Sequence, residues 1–271
     1  MPRVDDWRWA GLDVDRPNAA RIYDYELGGS HNFPADRAAA EALNRALPEA
    51  PLVGQSNRAF LRRAVHYCST QGLRQYLDIG SGIATVGNVH ETAHRLDPDS
   101  RVVYVDNDPV AVGTTRQILA EVPNAAIVHA DLREVDAVLD APETRRLLDF
   151  RQPLALLMVA VLHYVPLEDD VVKLVGRYKS ILAPGSLFAV SHTTWDPRPD
   201  VAAAIRRVFD EAGLVVAHRS RDEVAALFDG LELVEPGVVW TPEWHPLDDS
   251  EPLYATPARS VTYAAIGRLP S

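Results

Sequence analysis

Tyr76-Leu77-Asp78-Ile79-Gly80-Ser81-Gly82-Ile83-Ala84-Thr85 decides the fold of this sequence, because an apolar run passes straight into a turn of small residues and out into a helical pattern. At a strand-to-helix turn, glycines let the backbone approach a ligand closely and present N–H groups to it. A Gly-x-Gly pair alone serves any tight turn. Its meaning comes from what lies around it.

The next apolar run, Arg101–Val105, delivers Asp106 at its end, where one carboxylate can receive two ribose hydroxyls. After the third run, Ala126–His129, comes Ala130-Asp131-Leu132, with a carboxylate for an adenine amino group and an apolar side chain for the ring. Any one of these acids serves equally well as a helix N-cap. Three acids at three successive strand ends point together to a nucleoside-bearing cofactor. Asp78 settles its charge. A dinucleotide's pyrophosphate would be repelled there, and the dinucleotide pattern wants a glycine where Thr85 stands. A ligand with an ammonium and a sulfonium is attracted, which selects S-adenosylmethionine (AdoMet).

The texture further out is α/β. Strands are expected at Tyr76–Ile79, Arg101–Val105, Ala126–His129, Leu154–Val161 and Leu187–Ser191, then at Leu231–Glu235 or Val238–Trp240, and at Val261–Ile266. Helices are expected at Asn57–Tyr67, Thr85–Leu96, Pro109–Glu121, Glu143–Leu148, Asp169–Leu182, Pro199–Ala212 and Arg221–Phe228. Thr241–Arg259, dense in Pro, Asp and Ser, is expected to be a surface loop or lid. The polar N-terminal stretch is too short for a core of its own and must dock on the rest as a cap.

With 271 residues, 47% of them hydrophobic, the chain can bury a sizeable core. A net charge of -11 disfavours a nucleic-acid partner, which would need a basic surface. Arg58, Arg62, Arg63 and His66 make a possible basic strip, with a solvated helix face as the plain alternative. Cys68 is the single cysteine, which excludes an intrachain disulfide and suits a cytoplasmic location. The charged start around Asp5, Asp6 and Arg8 does not resemble a signal peptide. The longest apolar run, Leu154–Leu162, falls well short of the ~20 residues that span a bilayer, so no membrane association is expected. No feature specifies an oligomeric state.

Asp78 to Ala84, Asp106-Asn107, Asp131-Leu132 and Leu182-Ala183-Pro184-Gly185 together resemble the class I AdoMet-dependent methyltransferases over about residues 73–192. Ala84 stands where many members have a third glycine. Arg16-Pro17-Asn18-Ala19-Ala20-Arg21-Ile22-Tyr23-Asp24-Tyr25, Leu27-Gly28-Gly29-Ser30-His31-Asn32-Phe33, Asp36-Arg37 and Asn57-Arg58-Ala59-Phe60-Leu61-Arg62-Arg63 add a narrower resemblance. It is to the actinobacterial S-adenosyl methyltransferase family once catalogued as a domain of unknown function. The resemblance implies a Rossmann-like, doubly wound, seven-stranded sheet with an antiparallel last hairpin, under an N-terminal helical cap (residues 1–55) that precedes the catalytic domain (56–271). It implies AdoMet at the strand carboxyl ends, held by Asp78, Gly80, Ser81, Gly82, Asp106, Asn107, Asp131 and Leu132. Ala160 after the fourth strand joins that set, as do Gly29 and His31 of the cap, which can close over the cofactor.

Methyl transfer is an in-line displacement that needs alignment and dryness more than a base. His163, at the end of the fourth strand, is the first base candidate, since an ordinary imidazole titrates near pH 6.5. Tyr23 in the cap is the other catalytic candidate, and His192 on the same rim ranks below them. For each, the plain alternative is a side chain that shapes or docks the pocket. Trp195, Trp240 and Trp244 are expected near the substrate side, or else as core or lid anchors. His129, Met158, Trp7 and Trp9 are given structural roles only. The Asp106/Asp108 and His90/His94 pairs lack a third ligand at metal-site spacing. The expected activity is methyl transfer to a small-molecule acceptor. The alternative is an AdoMet-binding regulatory protein without turnover, which a cap filling the acceptor pocket would favour.

Overall fold

The apolar runs around the glycine turn form the centre of a parallel sheet in a computed structural model that describes residues 13–83 and 87–270. Ala84, Thr85, Trp7 and Trp9 lie outside the described residues. The strands are β1 (Gln75–Ile79), β2 (Arg101–Asp106), β3 (Ala125–His129), β4 (Ala155–Val159), β5 (Leu187–Thr193), β6 (Glu232–Leu233), β7 (Val239–Trp240) and β8 (Thr262–Arg268). Their order is β3-β2-β1-β4-β5-β8-β6, with β7 also paired to β8. β1 to β5 run parallel; β8 runs antiparallel to β5, β6 and β7.

The sheet thus has eight strands where the resemblance implies seven. The strand expected beside β8 is two short pieces, because Pro236, with no N–H to give the ladder, and Gly237, at φ 82°, turn the chain out between them. Both alternatives for this strand, Leu231–Glu235 and Val238–Trp240, are therefore present in shortened form.

The helices are α1 (Ala19–Glu26), α2 (Pro34–Ala46), α3 (Ala50–Thr70), α4 (Val89–Leu96), α5 (Pro109–Ile118), α6 (Val135–Asp140), α7 (Pro142–Leu147), α8 (Val171–Lys179), α9 (Pro199–Glu211) and α10 (Arg221–Ala226). The period-two alternation of β1 sends Leu77 and Ile79 into the core shared with α6, α7, α8 and α10, and Tyr76 into the core under α3, α4 and α5. None of the helices in the described residues is long and apolar enough to cross a membrane.

The cap is tied down by charge. Asn18 caps α1 through Ala20 N–H, and Asp36 accepts from the N–H groups of Asn18 (2.9 Å) and Phe33 (2.8 Å). Arg21, buried, lies 3.5 Å from Asp36 and 3.6 Å from Asp108, the N-cap of α5, so α1 is locked to the loop that follows Asp106. α3 crosses the 55/56 boundary as one continuous helix.

Arg63 is not part of a basic strip. It is buried, and it donates to the carbonyls of Thr241 (2.7 Å) and Trp244 (2.8 Å) and pairs with Glu251. Trp244 is fully buried, edge-on to Phe60 and Tyr67. The Thr241–Arg259 segment is therefore a loop pinned to α3, with single 3₁₀ turns at Thr241–Glu243 and Pro257–Ser260.

Candidate functional site

Strand order reverses between β1 and β4, and open α/β sheets bind ligands in the crevice beyond the strand ends at such a switch point. A cavity of about 560 Å³ lies there. From the β1 and β2 ends, Asp78, Gly80, Ser81, Gly82, Asp106 and Asn107 line it. Asp131 and Leu132 after β3, Ala160 and His163 after β4, and Tyr23 from the cap complete the sequence-expected set within it.

The glycine turn is held by β2. The N–H groups of Gly80 (2.8 Å) and Ser81 (3.1 Å) donate to the Val105 carbonyl, and that of Gly82 donates to Asp106 Oδ2 (2.7 Å). Gly80 has φ 70°, and a Cβ on it would lie 2.1 Å from Val161 Cγ2, so the β1 and β4 loops touch at backbone distance. Ala160 is strained at φ 56°. Its N–H is held by the carbonyl and Oγ of Ser191 (3.1 and 2.9 Å); Ser191 Oγ donates to Asn57 Oδ1, and Asn57 Nδ2 donates to the Tyr23 hydroxyl (2.9 Å). This chain of contacts sets α1 and α3 against the end of β4.

Two carboxyls at the floor are set for a cation. Burial pushes Asp78 up to about 7, against the Arg58 guanidinium and with Asp106 adding to the rise. Burial pushes Asp106 up to about 6, opposed by the N–H groups of Asp108 and Gly82. Asp131 differs: hydrogen bonds from the Arg133 side chain hold its carboxyl below the usual range. A cationic nucleoside fits this floor, since its positive charge would favour ionisation of two carboxyls that burial disfavours.

The histidines depart from an ordinary imidazole. Burial, aided by His192 and Arg219, holds His163 well below 6.5, and its Nδ1 has no hydrogen-bond partner among the described residues. His192 is fully buried and pushed down to about 3, mainly by burial; its ring nitrogens contact the Thr193 carbonyl (2.7 Å) and Arg219 Nη1 (3.2 Å). Arg219 also donates to the carbonyls of Leu162 and Val165, bracing the 3₁₀ turn Leu162–Tyr164 that carries His163. The Tyr23 hydroxyl donates to the Gly54 carbonyl (3.0 Å) besides accepting from Asn57.

Gly29 and His31 are not brought into this cavity. They line a separate recess with Arg58 and Arg62, and their turn is built around Asp24. A Cβ on Gly29 would lie 2.1 Å from Asp24 Oδ1, and His31 N–H donates to Asp24 Oδ2 (2.8 Å). Of the tryptophans, Trp195 lines the main cavity; Trp240 stacks on Tyr263 and Trp244 lies in the α3 core, so neither reaches it. His90 and His94 are spent on the Tyr104 hydroxyl and the Ser100 carbonyl. Sequence reasoning missed Glu26, Asn57, Arg58 as a cavity residue, and Arg219.

The sequence matches the S-adenosyl methyltransferase family over residues 5–270. It is 38% identical to a DUF574 family protein from Streptomyces avermitilis MA-4680, covering 95% of this chain and 99% of that one, with a TM-score of 0.90. A provisionally assigned methyltransferase from Thermobifida fusca YX is also 38% identical, covering 98% and 100%, with a TM-score of 0.90. No protein of curated function matches. With the cavity at the switch point and these relatives of equal length, the chain belongs to the S-adenosyl methyltransferase family and is an AdoMet-dependent methyltransferase of unidentified acceptor.

Proposed function

We propose that the enzyme methylates a small molecule taken wholly into the cavity beneath the cap. The observation that carries this reading is the roof. Tyr23 and Glu26 of α1, with Leu43 and Leu47 at the α2 end, line the same cavity as the strand ends, so an acceptor meets a roofed cleft and not a flat surface. In this reading Asp106 receives the ribose hydroxyls, Asp131 and Leu132 the adenine, and Asp78 the ammonium. Gly80, Ser81, Gly82 and Ala160 offer backbone, and Asn107 follows Asp106, whose carboxylate takes the ribose. The bound cofactor supplies an electrophilic methyl group; the chain's own residues align the acceptor and exclude water. The test is release of the demethylated product S-adenosylhomocysteine (AdoHcy) in cell extract fractions: release with the low-mass fraction and none with the protein or nucleic-acid fractions is expected, and the reverse pattern would sink the reading.

His163, held neutral, works as a hydrogen-bond acceptor towards the acceptor molecule and not as a solvent-equilibrated base. Tyr23 works as a wall and brace. Tyr23→Phe should therefore cost about 1–2 kcal/mol of stability, because Asn57 loses its acceptor, and reduce turnover by less than about tenfold. Urea denaturation and initial rates check both; a rate loss of about 10²-fold or more would mark Tyr23 as a base.

The raised carboxyls give cofactor binding a pH dependence of definite sign. Ionised Asp78 pairs with AdoMet's ammonium and ionised Asp106 accepts from its ribose hydroxyls, and the two carboxylates protonate as pH falls through about 7 and about 6. Calorimetry should show a dissociation constant flat above those values, rising about tenfold per pH unit below 7 and more steeply below 6. For the free enzyme the sign reverses: these groups favour the fold fully below their ordinary value of 3.8, and that contribution is lost as pH rises through 6 and 7. An affinity independent of pH across this range would show that neither carboxylate contacts the ligand in its ionised form.

A further inference from the structure

One carboxylate in the cavity is left over once the cofactor residues are assigned. Glu26 closes α1, and its Oε1 is sealed from solvent with no hydrogen-bond partner among the described residues, although the side chain lines the cavity. Buried polar atoms are almost always paired, and a carboxylate oxygen kept unpaired at a cavity wall is completed by what enters the cavity.

Its surroundings place it apart from the cofactor floor. Arg58 and Asp106 both act on Asp78, whereas burial alone pushes Glu26 up to about 7. The charge of Glu26 is felt at the hydroxyls of Tyr164 and Tyr23, the latter also under the Arg58 guanidinium, 5.8 Å from its ring centroid. Tyr164 lies against His163, with ring centroids 4.3 Å apart, and His163 Nδ1, like Arg58 Nε, is a buried cavity-lining atom without a hydrogen-bond partner among the described residues. Arg16, Asn18, Thr193 and Thr262 also line the cavity, and Trp195, Phe209, Leu43 and Leu47 give it an apolar and aromatic stretch of wall.

We propose that Glu26 is the acceptor-recognition residue, and that the acceptor is a small amine whose N–H groups meet Glu26 and His163 while its apolar body lies along the aromatic walls. This rests on reading the cavity as the acceptor site. A neutral alcohol would leave the carboxylate under-compensated, and a carboxylic acid would be repelled by it.

The test is calorimetric titration of the AdoHcy-loaded full chain, at about pH 8 where Glu26 is ionised, with benzylamine, benzyl alcohol and benzoate. Benzylamine should bind about tenfold or more tighter than the other two, and Glu26→Gln should remove that preference while AdoHcy affinity stays within about twofold. Glu26→Lys should turn the preference towards benzoate. AdoHcy binding in each variant reports that it has folded. Equal binding of the three probes to the wild type, or an unchanged benzylamine preference in Glu26→Gln, overturns the role of Glu26 and leaves the cavity reading standing. Failure of every probe to bind while AdoHcy binds overturns both.

Discussion

Gly80→Ala is expected to lose about 2–5 kcal/mol of stability, several times more than the same substitution at a glycine in open space. Gly80 sits at φ 70°, where a Cβ costs roughly 1–2 kcal/mol. That Cβ would also lie 2.1 Å from Val161 Cγ2 and 2.6 Å from Val161 Cβ, an overlap no rotamer relieves because the second atom moves with the backbone. Overpacking of this kind costs roughly a further 1–3 kcal/mol. The Gly80 turn cannot drift away either, since its N–H is anchored on the Val105 carbonyl. Gly230, at φ 82° with nothing within 4 Å of an added Cβ, isolates the backbone part, so Gly230→Ala should lose about 1 kcal/mol. Urea denaturation of both variants measures the difference. Equal losses would mean that the β1 and β4 loops do not meet at this distance.

What could be read in advance follows from how local each feature is. Asp78, Gly80, Gly82 and Asp106 are legible because a strand, a turn and a helix in sequence contiguity put them at one sheet edge. Arg58 and Arg63 look alike in sequence and have opposite surroundings. α3 is packed on more than one side, by the sheet and by the Trp244 loop, so the arginine that looked solvated is a clamp for Thr241 and Trp244. An apolar stripe identifies one buried face and is silent about a second.

Glu26 left no sequence signal, because the burial of its oxygen at the cavity wall is a tertiary feature that the end of a helix does not announce. His163 was legible in position but not in chemistry: the shift comes from burial and from Arg219, which lies more than fifty residues along the chain and reaches the turn beneath it. Gly29 and His31 show the converse. Their motif was visible, but its glycine and backbone N–H serve the local Asp24 turn and line a recess separate from the main cavity. Pro236, visible in sequence as a residue that cannot complete a strand ladder, carried the signal for the split edge strand.

Asp106→Ala should weaken AdoMet and AdoHcy alike by about 10²-fold or more, the largest effect expected of any single cofactor residue. Two hydrogen bonds from ribose hydroxyls to a charged acceptor are worth roughly 1.5–3 kcal/mol each. The carboxylate also holds the loop that must receive the rest of the ligand: Oδ2 takes the Gly82 N–H at 2.7 Å and Oδ1 takes the Asp108 N–H at 2.9 Å. Removing it frees the glycine turn at its far end and the start of α5, so geometry is lost along with charge. The effect on the free enzyme's stability should be smaller, because two lost N–H contacts are partly offset by removing a carboxyl that burial has already pushed up to about 6. Asp106→Asn separates the two contributions. It keeps a side-chain oxygen for one N–H and removes the charge, so it should fall between wild type and alanine for AdoMet while melting close to wild type. Calorimetry paired with urea denaturation gives both numbers for each variant. AdoMet affinity within about threefold of wild type in folded Asp106→Ala would remove Asp106 from the cofactor site, and would leave its carboxylate as nothing more than the staple between the glycine turn and α5.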